Sequence, residues 1–196
     1  MNKIFIPVYI FTLLATAHDS VAASDSGGMD RILNDAKSFL SASIFINSGR
    51  QKQRSHPPIQ QHKSSPDHSD IIVSASYRYQ TPTSLISAVI KCESNWKPRS
   101  LSKAGARGLM QIMPRTAKSE FQVSPASLWD PVINIHVGTA YLRLLSDHYR
   151  GNSATAVAAY NAGPGRVESS VHLPEETRLY KRCVHRWIGI YSKGTQ

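Results

Sequence analysis

Glu93 is the residue on which chemistry in this chain would turn. It lies at i+7 from Ile86, with Val89 and Ile90 at i+3 and i+4, so a carboxylic acid shares one helical face with three aliphatic side chains. Burial without a cation disfavours the ionised form and can raise a carboxyl pKa by as much as ~3 to 5 units when it is complete. The nearby Lys91 is two positions away and faces elsewhere. A neutral carboxyl on such a face can act as a proton donor. A glutamate that merely caps a neighbouring backbone is the alternative, and the helix alone leaves both open. A loop rich in small residues follows, with Ser102, Gly105, Gly108, Gln111 and Met113, and the arrangement suits acid catalysis on a polymer lying in a groove.

The text around Glu93 is specific. Glu93, Ser94, Pro98, Ser102, Gly105, Ala106, Gly108, Leu109, Met110, Gln111 and Pro114 resemble the signature E-S-x-x-x-P-x-x-x-S-x-x-G-A-x-G-L-M-Q-x-x-P of the lytic transglycosylase catalytic domain. Further on, residues 159–164 read A-Y-N-A-G-P, and Pro174, Glu176, Thr177 and Tyr180 match P-x-E-T-x-x-Y, two more elements of the same family in the same order. The resemblance covers roughly residues 69–191.

It implies a lysozyme-like fold and cleavage of the β-1,4 bond between N-acetylmuramic acid and N-acetylglucosamine without water. In that scheme neutral Glu93 protonates the glycosidic oxygen. As carboxylate it then takes the proton from the muramic acid's own C6 hydroxyl, which closes a 1,6-anhydro ring. The resemblance further implies that Ser102 and Gln111 line the cleft, Met113 packs against a sugar, Tyr160 and Asn161 orient the substrate and its N-acetyl group, and Tyr180 bonds near Glu93. Core packing is the plainer alternative for Tyr160, Met113 and Tyr180. Gly105 and Gly108 serve backbone approach. If Tyr180 reaches the site, Cys183 lies one turn farther on, in the neighbourhood of Cys92. An exported chain with two cysteines permits one disulfide, and two separate buried thiols are the alternative.

Hydrolytic glycosidases usually need a second carboxyl group. The region's other acids are Glu120, Asp130, Asp147, Glu168, Glu175 and Glu176, which read as a cap, helix-start charges or residues on polar faces and turns. A hydrolase of the same fold, muramidase or chitinase-like, remains the alternative if one of them positions a water. No metal or organic cofactor is called for.

The elements that must place these residues are helices. Thr81 and Pro82 read as an N-cap and first helical position for the Glu93 helix, which should end near Ser94 or Asn95 ahead of Pro98. Ser69 can cap a preceding helix. Pro114 and Thr116 start a short helix that gives way at residues 122–125. Asp130 and Pro131 start a long one with the stripe Ile133, Val137, Ala140, Tyr141, Leu144 and Leu145, closed by Gly151. Residues 154–159 supply a helix small and apolar on every face, stopped by Gly163 and Pro164. The last helix opens on Glu175 and Glu176, favourable at its positive end, and carries the stripe Tyr180, Cys183, Val184, Trp187 and Tyr191. There is no period-2 pattern of any length, so the fold class is mainly α, with a single catalytic domain at 69–196.

Ahead of it, residues 1–23 read as a secretory signal peptide: a basic start, an apolar run at 4–17 shorter than the ~20 residues of a spanning helix, and small residues before Ser24. No stable membrane span is expected after cleavage. Residues 24–68 read as a mostly disordered linker with a marginal amphipathic segment at 30–47. His56, His62 and His68 recur there without paired ligand spacing and read as solvated.

The formal net charge is +10, and residues 71–196 hold 16 Lys and Arg against 7 Asp and Glu. A basic surface suits a polyanion. An exported chain meets the acidic wall first, so peptidoglycan is the expected partner and the periplasm of a Gram-negative bacterium the expected location. A basic wall-binding or nucleic-acid-binding protein is a remote alternative, without a recognisable nucleic-acid motif. A small catalytic unit behind a linker resembles transglycosylases that accompany secretion, conjugation or pilus machines.

Overall fold

The structure, a computed structural model, describes residues 26–50, 68–170 and 172–193. The signal segment, His56 and His62 lie outside these. Eight α-helices run through the described residues: α1 (Ser26–Arg50), α2 (Ser69–Tyr79), α3 (Thr83–Ser94), α4 (Pro114–Phe121), α5 (Pro131–His148), α6 (Ser153–Ala162), α7 (Pro164–Ser169) and α8 (Glu175–Tyr191), with a 3-10 turn at Pro125–Trp129. The described residues contain no strand, only isolated bridges at Leu101–Arg107 and Arg107–Ile112. The fold is mainly α, as the periodicity requires.

Helix α5 is the axle. Asp130 accepts from the backbone N–H of Val132 at 2.8 Å and Pro131 occupies the first turn, the cap and proline that the sequence offers. The expected one-sided stripe is too narrow, because α5 also buries Asn134, Ile135, His136, Gly138, Thr139 and Leu142. Helices α1, α2 and α6 and the 3-10 turn all pack on it, so from Ile133 to Leu142 it has no solvent face.

Helix α1 departs from the expected linker. It spans Ser26–Arg50 and seats Ala36 and Leu40, both fully buried, in the common core. Its Phe39 ring lies 4.2 Å from the His136 ring of α5, and its Asp35 pairs with Arg78 of α2 at 2.8 Å. The segment is too weakly amphipathic to fold alone and is held by these tertiary contacts. His68, read as a solvated linker residue, is buried at the start of α2.

Two further corrections concern helix ends. Thr81 does not cap α3: its hydroxyl donates back to Tyr79 O at 3.2 Å, and Pro82 holds the cap position. Pro164 does not only stop α6 but also opens α7 after Gly163, whose φ is 86°. The end of α3 falls at Ser94, with Asn95 in the left-handed conformation that closes it. No helix among the described residues is long and apolar enough to cross a membrane.

Candidate active site

Helix α3 carries the aliphatic face of the sequence reading into the core: Ile86, Val89 and Ile90 are fully buried. Glu93 continues that face in the last turn with only 7 % of its surface exposed. Helices α6 and α8 bring two tyrosines to it. Tyr160 is half-buried, with its hydroxyl turned inward to donate to Met110 O at 2.9 Å. Burial, then the charge of Glu93 and the adjacent Tyr141, hold its pKa well above the usual phenol value. Tyr180 is 7 % exposed and reaches the same neighbourhood from α8. Its hydroxyl makes no hydrogen bond of good geometry. Burial, then the charge of Glu93, Tyr160 and the approach to the Glu93 carboxylate raise its pKa well above the ordinary value. Glu93, Tyr160 and Tyr180 therefore form one electrostatic unit, and each tyrosine stays a neutral hydroxyl at any working pH.

Cys92 and Cys183 are joined as a disulfide, with Cα atoms 6.2 Å apart. It fastens α3 to α8 one residue before Glu93. Asn161 accepts from the Thr177 hydroxyl at 3.0 Å, a second tie between α6 and α8 that orients its amide.

The loop at 95–113 folds as a compact plug. Ser102 spends its hydroxyl oxygen on the Ala106 N–H at 2.9 Å, and the Gln111 amide donates to Ser100 O at 3.0 Å and Gly108 O at 2.9 Å. Both side chains thus brace the loop from within. Gln111 also takes a left-handed backbone, φ 49°. Gly108 has φ 78°, and a Cβ there would collide with the Asn134 amide and sit 2.7 Å from Leu128 O. Met113 caps α4 and is half-buried.

Sequence reasoning passed over Asn134. It is 1 % exposed, accepts from the Met110 N–H at 2.7 Å, and donates to Arg107 O at 2.8 Å and Leu128 O at 2.9 Å. The signal was a lone amide among the apolar residues that open α5. Of the remaining acids, Asp147 is engaged with Arg143, Glu168 with His148, Asp130 at its cap and Glu120 with Ser119, while Glu175 and Glu176 lie in the first turn of α8. Among the described residues no group of three His, Cys, Asp or Glu is gathered that could hold a metal ion.

The arrangement can deliver and recover one proton at a sheltered carboxyl between two neutral phenols. The comparisons with known proteins agree on a context for it. The chain is 42 % identical over 97 residues to the soluble lytic murein transglycosylase of Escherichia coli K12, a match covering 46 % of this chain and 15 % of that protein. The inactive mutant of lytic transglycosylase Slt from Pseudomonas aeruginosa superposes with a TM-score of 0.59 at 33 % identity, over 65 % of this chain and 24 % of that one. A complex of the 70-kDa soluble lytic transglycosylase with bulgecin A gives 0.61 at 32 %, over 66 % and 25 %. The helices share the lysozyme-like fold of these neighbours, although the chain spans less than a fifth of that curated relative's length. The transglycosylase SLT domain model matches residues 70–181, more than half of the chain, and the chain belongs to that family.

Proposed function

We propose that the chain is a peptidoglycan lytic transglycosylase, cleaving the β-1,4 bond between N-acetylmuramic acid and N-acetylglucosamine with closure of a 1,6-anhydro ring. The observation that carries this reading is Glu93 itself, a carboxyl 7 % exposed at the end of an apolar helix face, with Tyr160 and Tyr180 beside it. In the first step Glu93 donates its proton to the leaving oxygen. In the second it accepts one from the C6 hydroxyl of the muramic acid, whose oxygen bonds to C1, so no water is consumed. A single residue serving as acid and then base suits a site in which Asp130, Asp147 and Glu168 are already engaged.

In this reading Asn161, held by Thr177, and the Tyr160 hydroxyl orient the N-acetyl group, and Met113 packs on a sugar face. Ser102 and Gln111 contribute through the loop they brace. The net charge of +10 favours the acidic wall, and the reading places the enzyme in a Gram-negative periplasm after removal of residues 1–23, serving local wall opening around a secretion, conjugation or pilus machine. Bulgecin A, bound by the 70-kDa relative, should compete for the same cleft.

The hydrolytic alternative would need a second acid, and Glu120, paired with Ser119, is the one whose charge reaches towards the site. Glu120 lies close enough to Tyr141 to help burial raise its pKa, and the Tyr141 ring is 5.6 Å from that of Tyr160. A water-activating role would make Glu120 essential.

Release of soluble muropeptides from purified sacculi tests the reading. Glu93→Gln should keep the fold and lose about a hundred- to ten-thousandfold in rate, the range for removing a general acid or base. Glu120→Gln should stay within about threefold of the parent, well short of that range. Full activity of Glu93→Gln would overturn the site.

A further inference from the structure

Residue Met110 is gripped from four directions. Its N–H is taken by Asn134 Oδ1 at 2.7 Å and its carbonyl by the Tyr160 hydroxyl at 2.9 Å. Its side chain lies over Gly138, where a Cβ would come within 2.5 Å of Sδ and 2.8 Å of Cβ, and Thr139 Oγ1 approaches Sδ at 3.9 Å. Asn134 and Gly138 are one turn apart on α5, so a single stretch of that helix receives both the backbone and the side chain of one loop residue. Asn134 also anchors the surroundings, since its two amide hydrogens go to Arg107 O and Leu128 O. Rotating it would break three bonds inside a buried site, which fixes the amide in one orientation.

We propose that Asn134 is a positioning residue for glycan cleavage: by fixing Met110 it sets the Tyr160 hydroxyl, whose hydrogen is spent on Met110 O and whose oxygen is left to accept from the sugar. This rests on the proposed function and adds to it a specificity rule. Tyr160 can receive an N–H or O–H of the substrate and cannot donate to it while the Met110 bond stands, so an amide N–H of the N-acetyl group is the matching chemistry. Without Asn134 the Met110 carbonyl is free to turn, the Tyr160 hydrogen is released, and the sugar beside Glu93 loses its reference point. The site then binds glycan about as well and turns it over more slowly, because misplacement by about an ångström suffices to cost on the order of a hundredfold.

The test is a double-mutant cycle in the full chain between Asn134→Asp and Tyr160→Phe, read as kcat and KM on soluble glycan strands. It is accompanied by NMR of ζ-carbon-labelled tyrosine, in which the Tyr160 signal is identified by its absence from Tyr160→Phe. Asn134→Asp sets a carboxylate oxygen against the two carbonyls, Arg107 O and Leu128 O, that the amide hydrogens had reached, so the side chain is repelled from its seat and the Met110 N–H loses its fixed acceptor. Expected are a kcat lower by about ten- to a hundredfold with KM within about twofold, a double variant no slower than the slower single one, and a displaced Tyr160 signal. Gly138→Ala provides a second route should Asn134→Asp fail to fold. It pushes Met110 from the helix side, leaves Asn134 in place, and should also displace the signal and lower kcat. Losses that multiply in the double variant, or a Tyr160 signal unmoved in either folded variant, would overturn the inference. A wild-type protein that cleaves no glycan would instead sink the function, and the NMR signal would still decide whether Asn134 sets Tyr160.

Discussion

Gly108 and Gln111 show how much of this site is made of backbone. Both belong to the motif run 108–111; the Gln111 amide donors are spent on loop carbonyls and Gly108 has no side chain. Gln111 closes the loop on Ser100 and Gly108, and Gly108 passes against the Asn134 amide with φ at 78°. Gly108→Ala therefore meets two penalties, a left-handed backbone worth roughly 1–2 kcal/mol and overpacking worth roughly 1–3 kcal/mol. Gly105 has φ 88° with nothing near its missing Cβ, so Gly105→Ala meets only the first. Urea unfolding should give a loss of about 2–5 kcal/mol for Gly108→Ala and about 1–2 kcal/mol for Gly105→Ala. Equal losses would show that the close approach to Asn134 carries no weight. Glu93 was legible as an acid on an apolar face because helical period alone puts it there. The bracing roles of Ser102 and Gln111 were not, because a loop's hydrogen bonds depend on where its backbone turns rather than on residue type.

At the scale of elements, the surprise is α1. Weak local amphipathicity gave only a marginal segment at 30–47 and not its seat in the core, since α1 is stabilised by what it touches on α2 and α5 rather than by its own pattern. Helix α5 is also wider than its pattern: His136 and Asn134 fall outside the stripe of Ile133, Val137, Ala140, Tyr141, Leu144 and Leu145 and are both 1 % exposed. His136 sits between Phe39 of α1 and Tyr79 of α2, whose ring centre is 5.7 Å away. Burial first, and Arg78 second, lower its pKa from 6.5 to about 4, against a small opposing effect of Asp35. The unfolded chain takes up a proton near pH 6.5 that the folded chain refuses until about pH 4. Stability is thus whole above pH 6.5, falls as the pH drops towards 4, and levels below it. The change is on the order of 3 kcal/mol. Thermal or urea unfolding across this window should show the decline in the parent and a flatter profile in His136→Gln, which has no proton to gain. Parallel profiles would place the effect in other groups.

For the whole molecule, three motifs in one order were enough to give the family and the neighbourhood of Glu93, Tyr160 and Tyr180, and helical periodicity gave the mainly helical class. What they left open was how distant segments are fastened. Periodicity turned Cys183 inward but could not choose between two thiols and a disulfide, a matter of the crossing of α3 and α8. The Cys92–Cys183 bond closes a separation of 91 residues. In the chain-entropy model a loop of that size stabilises by ~4 to 5 kcal/mol. It also holds α8, and with it Tyr180, against the helix that carries Glu93. The central claim is that this sheltered carboxyl acts alone, first as acid and then as base towards the sugar's own hydroxyl. The most direct measurement is mass spectrometry of the muropeptides released from purified peptidoglycan, with and without borohydride. The account predicts products ending in 1,6-anhydro-muramic acid, which have no reducing end and keep their mass on treatment. Muramic acid ends that borohydride reduces, as the main product, would contradict it.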